Sequence, residues 1–260
     1  VTLLPTRAVE KPWGRADLPA AFGDPASKVI GEVWFEPPAD FSAILAKYIF
    51  TSEPLSVQVH PPGGAGKDEC WLILAADPGA QLAIGLSGGQ DRDELAAASC
   101  DGSITELLDW YPVKAGDFFY VPAGTIHAIG AGLSLIEVQQ NIDLTYRLYD
   151  YGRLRPLHLE EGLAAVQSGP HPPELRRHLP AEGSLTLVEG PVFRLDRLAG
   201  TPDATITPRY GDRQVLVMPL LGIARVDQVE VGPAQCAVAS SLQAVQLPAD
   251  GMALIAQPCR

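Results

Sequence analysis

Between Leu55 and His60 the chain alternates residue by residue, with Leu55, Val57 and Val59 apolar and Ser56, Gln58 and His60 polar. That is the period of a half-buried β-strand, and it puts Gln58 and His60 on one face. Pro61-Pro62-Gly63-Gly64 ends the strand. The same period relates Lys67 to Glu69 where the next strand opens. The run Val121-Pro122-Ala123-Gly124-Thr125-Ile126-His127-Ala128-Ile129 adds a second strand-borne histidine after a Pro-x-Gly turn. Strands that carry such groups on one face can share a cavity if the sheet closes into a barrel. Two imidazoles and a carboxylate, with an amide oxygen as fourth donor, suit a borderline divalent metal such as Zn²⁺. Gln58, His60, Glu69 and His127 are therefore the candidate metal ligands.

Composition narrows the class. With 260 residues, 47% of them hydrophobic and 19% charged, the chain can bury a sizeable core as one large β domain or two small ones. Its 25 glycines and 24 prolines suit short strands joined by turns. A net charge of −12 argues against nucleic acid and anionic membranes as partners. No apolar run reaches the roughly 18 residues of a membrane span, and no signal-peptide pattern opens the chain. Cys70, Cys100, Cys236 and Cys259 form no CxxC spacing. They predict free thiols without disulfides, in a reducing cytoplasm.

Along the chain, the opening segment through Pro12-Trp13-Gly14 and Ile30–Phe35 reads as edge strands, and residues 41–50 as either a short helix or a buried strand. Strands are expected at 69–74, 81–86, 118–121, 126–129, 133–139 and 145–149. Asp91 to Ala98 reads as a helix with acidic first turns. Ser103 and Glu106 have the spacing of a capping box that opens another helix. Residues 157–167 look helical, and the Pro- and His-rich stretch after them reads as a linker, 166–183. Strands at 185–188, 193–195, 215–221, 223–226 and 253–256 make residues 184–260 a smaller β domain without a metal site, beside a metal-binding catalytic domain at 1–165. His158, His171 and His178 are expected to be exposed and without a site role.

The segment Glu137-Val138-Gln139-Gln140-Asn141-Ile142-Asp143-Leu144-Thr145-Tyr146-Arg147-Leu148-Tyr149-Asp150-Tyr151-Gly152-Arg153 is unusually polar for strands near a core. Glu137 and Gln139 share a face, as do Arg147 and Tyr149. Buried charges need partners or a substrate. Solvated faces with an Arg147–Asp143 or Arg153–Asp150 ion pair would account for the segment equally well.

At these residues the chain resembles the type I mannose-6-phosphate isomerases (phosphomannose isomerases) of the cupin superfamily, in their short bacterial branch. The resemblance lies in Ser56–Pro61, Gly66–Trp71 and the block from Val121 to Arg153. Lys11-Pro12-Trp13-Gly14 and Gly31-Glu32-Val33-Trp34 look like the family's opening motifs. The resemblance implies a mainly β fold, a cupin (jelly-roll) barrel with a few short helices and a second, smaller cupin-like β domain. It implies one Zn²⁺ per chain on Gln58, His60, Glu69 and His127, and isomerisation of mannose 6-phosphate to fructose 6-phosphate in carbohydrate metabolism. Arg147, Glu137 and Lys67 fall on the family's active-site positions. Relative to the family the chain looks shorter between Trp34 and Leu55, where helical material would wall the site.

Such an isomerisation moves a proton between C2 and C1 through a cis-enediol, which needs a base, an electrophile on the oxygens and a clamp for the phosphate. Glu137 leads as the base, followed by Lys67 and Asp143. Arg147 is shaped to stabilise an enediolate or hold a phosphate, and Arg153 is a further phosphate candidate. The expected partner is a small sugar phosphate, with the chain a monomer or weak homo-oligomer. A non-catalytic sugar-phosphate-binding cupin and a mononuclear iron cupin oxygenase are the alternatives.

Overall fold

The strand Ile44–Phe50 is buried along its whole length. A strand covered on both faces reads as an unbroken apolar run, which is why its period could not separate it from a helix. In the computed structural model, which describes residues 1–23, 28–64, 66–202 and 205–259, this strand lies inside a seven-stranded antiparallel sheet. The sheet's order is Arg176–His178, Asp117–Val121, Glu69–Ala76, Leu133–Gln140, Ile44–Phe50, Ile30–Phe35 and Thr6–Arg15. A five-stranded sheet faces it, in the order Tyr146–Tyr149, Val57–Val59, His127–Ile129, Gln81–Leu86 and Leu108–Pro112.

Side-chain alternation assigns each face. From the seven-stranded sheet, Ile49, Trp71, Ile73 and Leu135 point to one side and form a core with Leu82, Ile84 and Ile129 of the facing sheet. The intervening residues Ile44, Ala46, Tyr48, Phe50, Leu72, Ile136 and Val138 point to the other side. There they join Phe193, Leu195, Leu216 and Leu254 of a six-stranded C-terminal sheet. Behind the five-stranded sheet, Val57, Val59, Ala128 and Leu148 pack with Leu95 and Ala98 of the helix Arg92–Asp101 and with Ala165 of the helix Leu159–Ala165. A three-stranded sheet, Ala224–Val226 between Val229–Val231 and Val245–Gln246, completes the C-terminal core with Leu198, Val217 and Ile255. The chain is thus mainly β, a cupin-type barrel with a second β unit stacked on its outer face. Among the described residues no helix is long and apolar enough to cross a membrane.

Several local expectations change. Residues 41–50 resolve into a 3₁₀ turn, Ala39–Phe41, followed by the strand. Ser103 and Glu106 lie in a 3₁₀ turn with no capping bond from the Ser103 side chain, because Gly102 has already ended the preceding helix in a left-handed conformation (φ 88°). Ser103 instead donates to Asp101 Oδ1. The capping box is Asp91 with Glu94, each side chain accepting from the other's backbone N–H at 2.9 Å. Within 166–183, Arg176–His178 pairs with Asp117–Phe119 and extends the seven-stranded sheet. At the other end, Thr2–Leu3 pairs with Ala237 and Val238 in the C-terminal sheet.

Phe193 is fully buried where the C-terminal sheet meets the barrel and stands 6.2 Å from the Tyr120 ring. Phe193→Ala is expected to cost about 3–5 kcal/mol, read as a lower urea midpoint. An unchanged midpoint would mean that the interface between the sheets adds little to stability.

Candidate metal centre and active site

Two cross-strand rows bring the predicted residues together, because directly opposed residues share a face. On the five-stranded sheet Gln58 is opposite both Arg147 and His127. On the seven-stranded sheet Glu137 is opposite Lys47 and Trp71, Lys47 is opposite Trp34, and Gln139 is opposite Glu69. All of these residues except His127 line a cavity of about 390 Å³ between the sheets.

Glu69, which lines this cavity, clusters with His60 and His127, each of the three only 1% exposed, with ligand atoms within 4.8 Å of one another. Among the described residues it is the one such cluster of three donors. The turn before His127 explains the Pro-x-Gly signal. Gly124 sits at φ 89° and donates its N–H to His60 O at 2.7 Å, tying the two histidine segments together. Asp68 anchors the same turn, accepting from Ala123 N at 2.9 Å and from the Tyr120 hydroxyl.

The hydrogen bonds fix the imidazole tautomers. His60 Nδ1 donates to Leu144 O at 2.8 Å and His127 Nδ1 to Thr125 O at 2.9 Å. A carbonyl only accepts, so each Nε2 presents a lone pair inward. Glu69 Oε2 lies 3.3 Å from His60 Nε2, and Glu69 Oε1 lies 3.4 Å from His127 Nε2. Acceptors therefore face acceptors, and His60 Nε2 is buried without a hydrogen-bond partner. A divalent cation satisfies such an arrangement, and a proton held by either imidazole does so less well. Gln58 Nε2 donates to His127 Nε2 at 3.2 Å while its Oε1 accepts from Ser56 Oγ at 3.0 Å. A half-turn of the carboxamide would offer the oxygen as a fourth donor. The residues fit a metal of the zinc type.

Burial, reinforced by the charge of Lys67, depresses His60 to about 4. Burial likewise lowers His127. Burial alone would raise Glu69, but the ammonium of Lys67 beside it holds it well below the usual carboxylate range.

Beside the cluster lies a row of alternating charge. Lys67 Nζ is 3.0 Å from Glu69 and 3.9 Å from Glu137. Lys47 Nζ is 2.9 Å from Glu137 and 3.9 Å from Glu32, and Lys11 is 3.3 Å from Glu32. Trp71 Nε1 donates to Glu137 at 3.0 Å and Trp34 Nε1 to Glu32 at 2.5 Å. Glu137 and Glu32 oppose the burial penalty on Lys47 and keep it above its ordinary value.

Lys67, Glu137 and Arg147 all line this cavity, together with Asp143. Arg147 Nε donates to Pro156 O at 3.1 Å, and burial followed by the charge of Arg155 lowers its pKa. Arg153 stands apart. It binds Asp150 at 3.0 Å, Glu53 at 3.1 Å and Pro54 O at 2.6 Å, so it braces the structure and does not line the cavity. Lys47 and Arg155 line the cavity but were not singled out from sequence, and Glu32 and Gln139, which also line it, were named there without a site role. For Lys47 the available signal was a lone lysine inside an apolar strand. The stretch between Trp34 and Leu55, expected to leave the wall thin, supplies Lys47 and Ile49 to it. Two histidines also differ from expectation. His171 is buried and donates to Tyr120 O at 2.8 Å, and His158 lines the cavity. His178 is largely exposed beside Asp117.

The chain is 37% identical over 201 residues to the mannose-6-phosphate isomerase of Streptococcus mutans, covering 70% of this chain and 62% of that one. It is 42% identical over 139 residues to mannose-6-phosphate isomerase ManA of Bacillus subtilis, covering 48% and 44%. By sequence, the chain is a relative of the mannose-6-phosphate isomerases. These matches span less than two thirds of the relatives' own length. The crystal structure of the mannose 6-phosphate isomerase from Bacillus subtilis shares the fold at a TM-score of 0.72 and 22% identity, covering 98% of this chain and 99% of that one. No family model matches.

The depressed imidazoles set a pH dependence. Near pH 6.5 the unfolded chain takes up protons that folded His60 refuses, so folding stability is greatest above that pH and falls towards pH 4. For the metal-free protein the loss through His60 alone is expected to reach about 3 kcal/mol. Urea midpoints measured across that range should fall, and a flat profile would mean that His60 is not held neutral.

Proposed function

We propose that this chain is a metal-dependent aldose–ketose isomerase that interconverts mannose 6-phosphate and fructose 6-phosphate through a cis-enediol, with Zn²⁺ on His60, Glu69, His127 and Gln58. One observation carries the proposal. A single cavity is lined by Gln58 and by Glu69, the carboxylate of the buried three-donor cluster, together with five cationic side chains, Lys11, Lys47, Lys67, Arg147 and Arg155, in a chain of net charge −12. A mononuclear oxygenase centre has no use for that many cations, whereas a sugar phosphate needs them.

In this reading Glu137 takes the proton from C2 and returns it to C1, and Lys67 carries the hydroxyl proton between the two oxygens. Trp71 and Lys47 hold the Glu137 carboxylate at 3.0 and 2.9 Å, so it needs little reorganisation to meet the sugar carbons. Arg147 remains cationic and faces the anionic part of the substrate. The bound cation supplies positive charge to the sugar oxygens without redox chemistry. The four free cysteines suit a cytoplasmic enzyme.

A coupled assay for fructose 6-phosphate is expected to show turnover of mannose 6-phosphate that a chelator abolishes and added zinc restores. Protein with stoichiometric zinc and no turnover would overturn the isomerase reading in favour of a binding protein. Arg147→Ala is expected to lower kcat/KM by about 10²-fold while zinc content stays stoichiometric. Normal turnover in that variant would remove Arg147 from the mechanism.

A further inference from the structure

After the strand Tyr146–Tyr149 the chain turns back along the cavity's edge. Tyr151 and Gly152 both adopt positive φ (53° and 77°), reversing its direction so that residues 153–158 return past Asp150. Apolar packing does not hold the returning limb, because Leu154 is fully exposed and Leu157 is 42% exposed. The limb is held instead by the Asp150 carboxylate, whose side chain is fully buried. Asp150 accepts from Arg155 Nε at 2.6 Å, from Arg155 Nη2 at 2.5 Å and from Arg153 Nη1 at 3.0 Å. A forked pair of this kind fixes the plane of a guanidinium as well as its position.

The two bonds to Asp150 occupy one edge of Arg155 and leave Nη1 as an open donor on a side chain that lines the cavity. Arg147 is the neighbouring guanidinium. Its Nε is taken by Pro156 O, and it forms no ion pair among the described residues. The two cations are close enough for the charge of Arg155 to lower the pKa of Arg147. Around them, the carboxylates of Asp150 and Glu53 face three guanidiniums, those of Arg147, Arg153 and Arg155. Two guanidiniums on the lining of one cavity, each with donors left open, match the geometry of a phosphoryl dianion.

We infer that Arg155 and Arg147 are the two arms of a phosphoryl-binding subsite, and that Asp150 is the positioning residue that aims Arg155 into it. The inference rests on the sugar-phosphate reading only for what carries the phosphoryl group. The subsite itself is read from the side chains.

The test uses the zinc-loaded full chain and its Arg155→Gln and Asp150→Asn variants. Calorimetric titration with inorganic phosphate is expected to show affinity weakened about tenfold in both, the loss of one charge-assisted hydrogen bond. KM for mannose 6-phosphate should rise by a similar factor, with kcat falling no more than about threefold and zinc content unchanged. A merely structural Asp150 would lower the melting temperature and kcat with KM held, and that result overturns its positioning role. Should Asp150→Asn fail to fold, Arg155, whose side chain is 26% exposed, gives the readout alone, through Arg155→Gln and the partial rescue expected of Arg155→Lys. Phosphate affinity and KM both unchanged in Arg155→Gln would overturn the subsite while leaving the isomerase reading intact. Absent turnover in the parent protein, with phosphate affinity still lost in Arg155→Gln, would overturn the isomerase reading and support the subsite.

Discussion

A carboxylate sealed from water inside a barrel is the constraint that organises this chain. Removing an ionised group from water costs several kcal/mol even after relaxation, and Glu69 is 1% exposed. Lys67 answers it, but Lys67 is itself buried and calls for Glu137. Glu137 in turn calls for Lys47, Lys47 for Glu32, and Glu32 for Lys11, which is exposed enough to reach solvent. The charges alternate across five strands and loops of one sheet because each buried charge needs an opposite neighbour. Substitutions along this row will therefore not be additive.

The seven-stranded sheet can carry that row because both of its faces are covered. One face bears the polar cavity, while the other is joined to the C-terminal sheet by Phe35, Phe50, Phe118 and Phe193. The C-terminal unit thus acts on the site without contributing a side chain to it. By covering the back of the sheet, it keeps strand positions firm enough for acceptors to face one another across 3.3 Å.

The sequence was readable where period two survived. Gln58 and His60 could be assigned to one face because Val57 and Val59 define the other, and Lys67 and Glu69 were paired by the same spacing, whereas Glu137 and Arg147 were placed in the site only by the family resemblance. Lys47 could not be assigned in this way. Ile44–Phe50 is apolar on both sides, so a single lysine does not reveal which cavity it enters. Glu32 and Trp34 lay in a recognised motif, yet their role appears only when the cross-strand register sets Trp34 against Lys47. Ser103-x-x-Glu106 misled because capping-box spacing carries no information about where the preceding helix stops. The burial of His171 depends on a long-range contact with Tyr120, which local composition cannot encode.

Three of the four tryptophans, Trp13, Trp34 and Trp71, line the cavity. The indole N–H groups of Trp34 and Trp71 are bonded to Glu32 and Glu137, the two acids of the charge row. Trp110 donates instead to Thr105 O and lies outside the cavity. Indole emission responds to nearby charge and water, so the chain has an optical probe built into its own site. Three of its four indoles stand in the cavity walls, so occupancy of the cavity can be followed in the unlabelled protein.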